Sequence, residues 1–333
     1  MIVTVLYNLP ESDRESDQDT EISAEAVTAQ LAGAGYATKA VGIHPDEVHD
    51  LHKITGSDFV FNLVEWDGDK YPLGVETIKS LERIGVPYSG SNPRGYKLSA
   101  DKMLMKAEMK KNGIPTPGWR IWYPHRGINL QGLKYPVIVK LVHSHCGEGI
   151  TQDSVAGDVR EAELKAEKLG KTYNQPVLVE EYIEGRELHV TVLEKNGRPW
   201  ILPPAEVSFR MKKGFLPILT YDMKWREDSP EYSMAGYMLI PELPEEISRQ
   251  VDHLAKVSYI KLGGRDYPRL DMRVRDGTVY VLEINNNPGI DFEPDSGIGA
   301  SARAAGFTFP ALLVHIVENA RLRFVNKYDT VTV

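Results

Sequence analysis

The chain has 333 residues, 42% of them hydrophobic, and a formal net charge of −8. That length accommodates two or three domains with their own cores, and the negative balance argues against a nucleic-acid or anionic-membrane partner. A single cysteine, Cys146, excludes an internal disulfide and fits a reducing compartment.

The segment Met1–Tyr7 lacks a positively charged start and soon reaches Pro10, so it reads as a strand over 2–7 and not as a signal peptide. No run is long enough to span a membrane, and the expected location is the cytoplasm. The acidic run Glu11 to Glu21 reads as a surface loop. A helix is expected from about Ser23, carried by Ala26, Val27 and Leu31 to the glycines at 33 and 35. Ala37–Ile43 is a second strand, and Asp58–Val64 a third, of the continuous apolar kind found inside parallel sheets. Val75–Ile84 is helical, and Val86-Pro87-Tyr88 begins the next strand. This βαβ order predicts a doubly wound parallel-sheet domain over residues 1–95. It lacks a G-x-G-x-x-G turn after the first strand, which argues against a dinucleotide site.

A second unit is expected over 96–183, opening on Ser99-Ala100-Asp101-Lys102 and a Met- and Lys-rich helix that stops at Asn112-Gly113. Strands follow at Tyr135–Val142 and Pro176–Ile183, with a charged helix from Arg160 to Lys168 between them. The third unit, 184–333, continues with strand Leu188–Glu194, a strand-like Ala205–Val207 and a loop-like stretch holding Lys212, Lys213, Lys224 and Trp225. A helix from Pro244 to Leu262, a hairpin over 267–285 and a last helix over Phe309–Asn319 complete it.

The hairpin carries the clearest chemistry. Its even positions Leu270, Met272, Val274, Tyr280, Leu282 and Ile284 read as an apolar face, and its odd positions include Arg269, Asp271, Glu283 and Asn285. A two-residue Asp276-Gly277 turn would set Asp271 against Leu282 and Glu283 against Leu270, mixing acids into the apolar face. A three-residue loop, Arg275–Gly277, pairs Val274 with Thr278 and Arg269 with Glu283, and places Asp271 diagonal to Glu283; this register is therefore expected. Two carboxylates and an amide oxygen on one face suit Mg²⁺, which takes few protein ligands and leaves positions for phosphates. Arg269 beside them can stabilise developing negative charge.

Lys140, ending an apolar strand before the glycine-containing loop 143–149, is a candidate phosphate ligand; a strand-end lysine reaching solvent has the same local pattern. Glu180-Glu181-Tyr182-Ile183 could form a nucleotide hinge or simply end a strand. For Cys146 a loop-packing thiol is favoured over a nucleophile. His143, His145 and Cys146 lack the C-x-x-C or H-x-x-x-H spacing of zinc sites, which counts against zinc.

Taken in order, these pieces resemble an ATP-grasp ligase, most closely the D-alanine–D-alanine ligase family. The matching segments are Ile84–Ser91, Ser99–Lys102, Tyr135–Lys140, Val177–Glu187, Arg269–Asp271, Glu283–Gly289 and Ala302–Gly306. The resemblance implies that the doubly wound domain precedes a two-lobed ATP-grasp fold. It implies ATP and two Mg²⁺ (or Mn²⁺) ions as cofactors, and a carboxylate activated as an acyl-phosphate and captured by an amine. Lys102, Lys140 and Lys224 would contact phosphates, with Lys224 on a mobile loop. Glu180, Glu181, Tyr182 and Ile183 would hold adenine, and Glu187 the ribose. Asp271, Glu283 and Asn285 would bind the metal ions, and Arg269 would stabilise the acyl-phosphate and tetrahedral intermediate. The partners would be small amino-acid or carboxylate and amine substrates, and a homodimer through the first domain is known for the family. A phosphotransferase on the same fold, or a ligase adding an amino acid to another metabolite, is the alternative.

The departures from the family pattern fall at substrate-facing places. Glu65-Trp66-Asp67-Gly68-Asp69-Lys70 replaces its His-Gly-containing segment, Cys146-Gly147 its serine pair, and Trp225 its loop tyrosine. The serine for the acceptor carboxylate is Ser296 or Ser301, and Asp19 falls near a glutamate that would hold an ammonium. Polar changes of this kind alter substrate choice.

Overall fold

The computed structural model describes residues 1–10, 15–66, 68–124, 126 and 128–329. Strands β1 (Ile2–Asn8), β2 (Ala37–Ile43) and β3 (Phe59–Asn62) form a parallel sheet in the order β2-β1-β3, and Tyr88 adds a parallel bridge to Val60. Helix α1 (Glu15–Gly33) starts well before Ser23, so the described part of the acidic run is helical and not a loop; residues 11–14 lie outside the described residues. Acidic side chains are favourable at a helix N-terminus, where the dipole is positive. Ala24, Val27 and Leu31 bury its apolar side against Val3, Val5 and Phe59. Helix α2 (Tyr71–Ile84) ends at Gly85, whose φ of 77° closes it with a left-handed residue.

Two short helices, α3 (Pro93–Ala100) and α4 (Lys102–Lys111), meet at Asp101, whose carboxylate accepts from the Leu104 N–H at 3.0 Å and caps α4. Strands β4 (Trp119–Trp122), β5 (Val137–Leu141), β6 (Val155–Ala156) and β7 (Val177–Glu181) form an antiparallel sheet ordered β4-β7-β5-β6. It is covered by α5 (Val159–Tyr173) through Ala162 and Ala166.

The third sheet holds β8 (Arg186–Lys195), β9 (Arg198–Ile201), β10 (Ala205–Phe209), β11 (Ala235–Leu239), β12 (Arg269–Arg275) and β13 (Thr278–Asn285), in the order β11-β10-β8-β12-β13 with β9 paired to β8. Between β10 and β11 lies the one-turn helix α6 (Tyr221–Trp225), so Lys224 sits on a helix where a loop was expected. Helix α7 (Glu245–Lys261) packs Ile247, Val251 and Leu254 against Leu188, Val190, Leu270 and Met272. Helices α8 (Gly297–Ala304) and α9 (Phe309–Asp329) return to the first sheet, where Leu312, Leu313 and Ile316 join Val5, Phe59 and Phe61. Among the described residues no single helix is long and apolar enough to cross a membrane.

The hairpin corrects the expected register. Arg275 pairs with Thr278 and Val274 with Val279 around a two-residue turn, with Asp276 and Gly277 both at positive φ, 50° and 75°. Such a mirror-image turn matches the right-handed twist of the flanking strands. Met272 faces Val281, but Asp271 faces Glu283. Leu282 is the extra residue of a bulge, and a bulge reverses which face the following side chains take. Accordingly Val279, Val281 and Ile284 lie in the core, whereas Leu282 turns to the cavity described below. The turn that a regular ladder ruled out is compatible with a buried apolar face because of this one inserted residue.

Candidate active site

Central strand β12 carries the site, with β8 on one side and β13 on the other. Asp271 faces His189 on β8 and Glu283 on β13; Arg269 faces Thr191 and Asn285; Arg273 faces Glu187 and Tyr280. Alternation along β12 turns Arg269, Asp271 and Arg273 to one face, while Leu270 and Met272 enter the core on the other. The polar face lines a cavity of about 310 Å³ that also receives Lys102, Lys140, Lys224 and Glu180.

Arg269 grips Asp271 through two hydrogen bonds, Nε to Oδ1 at 2.7 Å and an Nη to Oδ2 at 2.9 Å. Burial alone would raise the Asp271 carboxyl, but the Arg269 guanidinium outweighs it and holds it well below the usual carboxylate range. The Asn285 amide nitrogen donates to Asp271 at 3.3 Å, which leaves its oxygen for a cation. Glu283 makes no hydrogen bond or ion pair among the described residues, although Lys106 and Lys140 act on it through space. This all-oxygen donor set fits Mg²⁺ or Mn²⁺. His189 is 4% exposed, and neither ring nitrogen has a hydrogen-bond partner among the described residues. Burial pushes it down to about 4, so it is neutral at pH 7 and adds no charge beside Asp271.

Beside this face lies a buried charge triad. Glu180 is 1% exposed and bridges Lys106 and Lys140, each at 2.7 Å. Burial would raise Glu180, yet the two lysines outweigh it and bring it down to about 2. Sequence reasoning missed Lys106, which looks like one more lysine of a Lys-rich helix; its place on the inward side of α4 beside Met105 and Met109 was the available sign. Arg273 and His189 were missed as well. Arg273 pairs with Glu187 and donates to the Pro217 carbonyl at 2.6 Å. Both sit on the polar side of strands whose alternation is otherwise clean.

The remaining expected residues divide. Glu181, Tyr182, Ile183 and Glu187 line the cavity; the Glu181 carboxylate accepts from the Lys134 N–H at 2.9 Å, and the Arg273 guanidinium lies 5.5 Å from the Tyr182 ring centre. Lys102 also lines it, with its ammonium donating to the Ser144 carbonyl. Trp225 lines it too, and its indole N–H donates to the Cys146 carbonyl at 3.0 Å. Asp19, Glu65 and Asp291 line the cavity close enough to act on one another. Burial, then Glu65 and Asp291, raise Asp19 to about 6. Ser296 and Ser301 are not among the lining residues: Ser296 caps α8 by accepting from the Gly299 N–H at 3.1 Å, and Ser301 is fully buried.

A family model described as D-ala D-ala ligase C-terminus matches residues 109–318. A D-alanine–D-alanine ligase of a Marinomonas species is 32% identical over 328 residues, which are 96% of this chain and 95% of that one. The chain belongs to the D-alanine–D-alanine ligase family. As a member it is an ATP-dependent, C–N bond-forming ligase, as its motif order implied. An uncharacterized protein of Sinorhizobium fredii is also 32% identical, over 80% of this chain and 76% of its own length. The crystal structure of the Bacillus anthracis D-alanine–D-alanine ligase complexed with ATP matches with a TM-score of 0.76 at 23% identity, over 98% of this chain and 99% of that one. The ATP-grasp fold expected from the sequence is therefore the fold of this family member.

Proposed function

We propose that this ligase uses ATP and Mg²⁺ to activate the carboxylate of one amino acid and joins it to the amine of a second, forming a dipeptide. The observation that carries this reading is the meeting of Lys102, Lys140, Lys224 and Arg269 with Asp271, Glu283 and Asn285 on one cavity. The lysines bind the phosphates. The adenosine lies between Glu181, Tyr182, Ile183 and Glu187, while the Glu180 carboxylate, committed to its two lysines, orients Lys140. Asp271, Glu283 and Asn285 would hold Mg²⁺, which supplies positive charge along the phosphates.

A donor carboxylate oxygen attacks the γ-phosphorus, the bond to ADP breaks, and an acyl-phosphate forms. The acceptor amine then attacks the acyl carbon; the tetrahedral intermediate collapses to the amide, with inorganic phosphate leaving and the amine losing a proton. Arg269, fixed by Asp271, faces the charge that develops in both steps. D-alanine is the first substrate to test for both positions. A panel of D- and L-amino acids with ATP and Mg²⁺ is expected to contain a pair that stimulates ADP release and yields an amide by mass spectrometry. A phosphorylated product without an amide would instead indicate a phosphotransferase, and no stimulation by any pair would contradict the reading.

The grouped carboxylates Asp19, Glu65 and Asp291 suit the ammonium of the donor. Because Asp19 is raised to about 6, its carboxylate forms as pH rises through that value. The KM of the donor should therefore fall between about pH 5 and 7, and this fall should flatten in Asp19→Asn while the KM of ATP stays level. A donor KM that does not change over that range removes Asp19 from the site. A cytoplasmic location and a homodimer through the first domain belong to the same reading; Ile22 and Ile84, 63% and 53% exposed, offer apolar contacts on its helices, and light scattering checks the dimer.

A further inference from the structure

We propose that Glu65, His145 and Cys146 form a site for a borderline-soft divalent cation of the zinc class, whose occupancy blocks the substrate end of the cavity. The expectation against zinc rested on spacing within the loop 143–149. In the structure the third donor comes from the first domain, far away in sequence. His145 Nδ1 lies 3.0 Å from the Cys146 sulfur and 3.7 Å from Glu65 Oε2, and the three donor atoms all lie within 4.8 Å of one another. Zinc bonds of about 2.0–2.3 Å to nitrogen, oxygen and sulfur give tetrahedral edges of roughly 3.5 Å, so small side-chain rotations would complete three ligands and leave a fourth position open. His143 is not part of the set, because it stacks on Tyr71 at 4.6 Å with the rings 11° apart.

The two segments that supply the donors are already joined. The Gly68 N–H donates to the His143 carbonyl at 2.7 Å, and Trp225 holds the Cys146 carbonyl from the other side. The donor chemistry separates this site from the one on β12 and β13. A thiolate with an imidazole favours zinc-like ions over Mg²⁺, whereas two carboxylates with an amide oxygen favour Mg²⁺. All three donors line the cavity that also receives Arg269 and Asp271, so on the proposed function an ion held there takes up space that the substrates use.

Cys146 is the only cysteine in the chain, which makes the test specific. The full-length protein, kept in excess Mg²⁺, is titrated with Co²⁺. One equivalent should produce the ultraviolet absorption of a thiolate–cobalt bond, and Zn²⁺ should displace it. Cys146→Ser should abolish that absorption, and Glu65→Gln and His145→Ala should each weaken Co²⁺ binding at least tenfold. Zn²⁺ should inhibit ADP release by the unaltered enzyme at excess Mg²⁺. No thiolate absorption at one equivalent, or a binding curve unchanged in both Glu65→Gln and His145→Ala, overturns the site. Inhibition by Zn²⁺ that is undiminished in Cys146→Ser overturns its blocking role. The spectrum of the unaltered protein decides the first point even if a variant fails to fold.

Discussion

Replacing Arg269 with methionine is expected to lower kcat by about a thousandfold, with the KM of ATP changed by less than about fivefold. A guanidinium facing a transferring phosphoryl group contributes on the order of a thousandfold or more in other phosphoryl-transfer sites. Donors aimed at developing oxyanion charge contribute about a hundred- to a thousandfold. Arg269 is placed for such work because two hydrogen bonds to Asp271 fix its plane, and because Asp271 and Glu283 keep it charged despite its burial. Arg269→Lys keeps a charge but loses the two-pronged grip, so it should recover only part of the rate. Steady-state ADP formation measures both variants. A fall of tenfold or less in Arg269→Met would mean that Arg269 serves Asp271 alone.

Lys106→Met is expected to destabilise the fold by about 3–5 kcal/mol, the usual cost of stripping one partner from a buried ion pair. Lys106 is 1% exposed, and Glu180 beside it would remain charged with Lys140 alone. Adding Glu180→Gln to Lys106→Met should return part of that loss, since the amide needs no counter-charge. Urea unfolding of the single and double variants checks this; equal stabilities for the two would contradict it. The triad also sets an acid limit. A carboxyl whose pKa falls on folding stabilises the fold above its unfolded value and loses that contribution as pH drops through the folded one. For Glu180, at about 2 against the usual 4.5, the window is pH 4.5 down to 2 and the contribution is about 3 kcal/mol. Glu180→Gln should show a weaker dependence of stability on pH over that window than the unaltered protein, since the shares of other depressed carboxyls such as Asp271 remain.

The sheets were largely legible, because strands such as β3 and β5 bury nearly continuous apolar runs. Strands β4 and β11 escaped notice: both are short edge strands, and β4 buries only Trp122, so its alternation is weak. The start of α1 was hidden because an acidic run has the composition of a loop, although its charge suits a helix N-terminus. In the hairpin the acids were assigned to one face correctly, but by the wrong register. The sign that was overlooked is the change from odd core positions, Val279 and Val281, to the even Ile284; such a change of parity within one strand marks a bulge. Lys106 had a local sign in its place on the inward side of α4, whereas the Glu65–His145–Cys146 trio depends on a contact between distant segments, which no local pattern encodes.

The most direct test of acyl-phosphate chemistry follows one oxygen atom. With a donor amino acid whose carboxylate carries isotopically heavy oxygen, the account predicts that the inorganic phosphate released with each amide contains one heavy oxygen, transferred from the donor. Phosphate without heavy oxygen, released together with amide, would show that the carboxylate never bonded to the γ-phosphorus and would contradict the account.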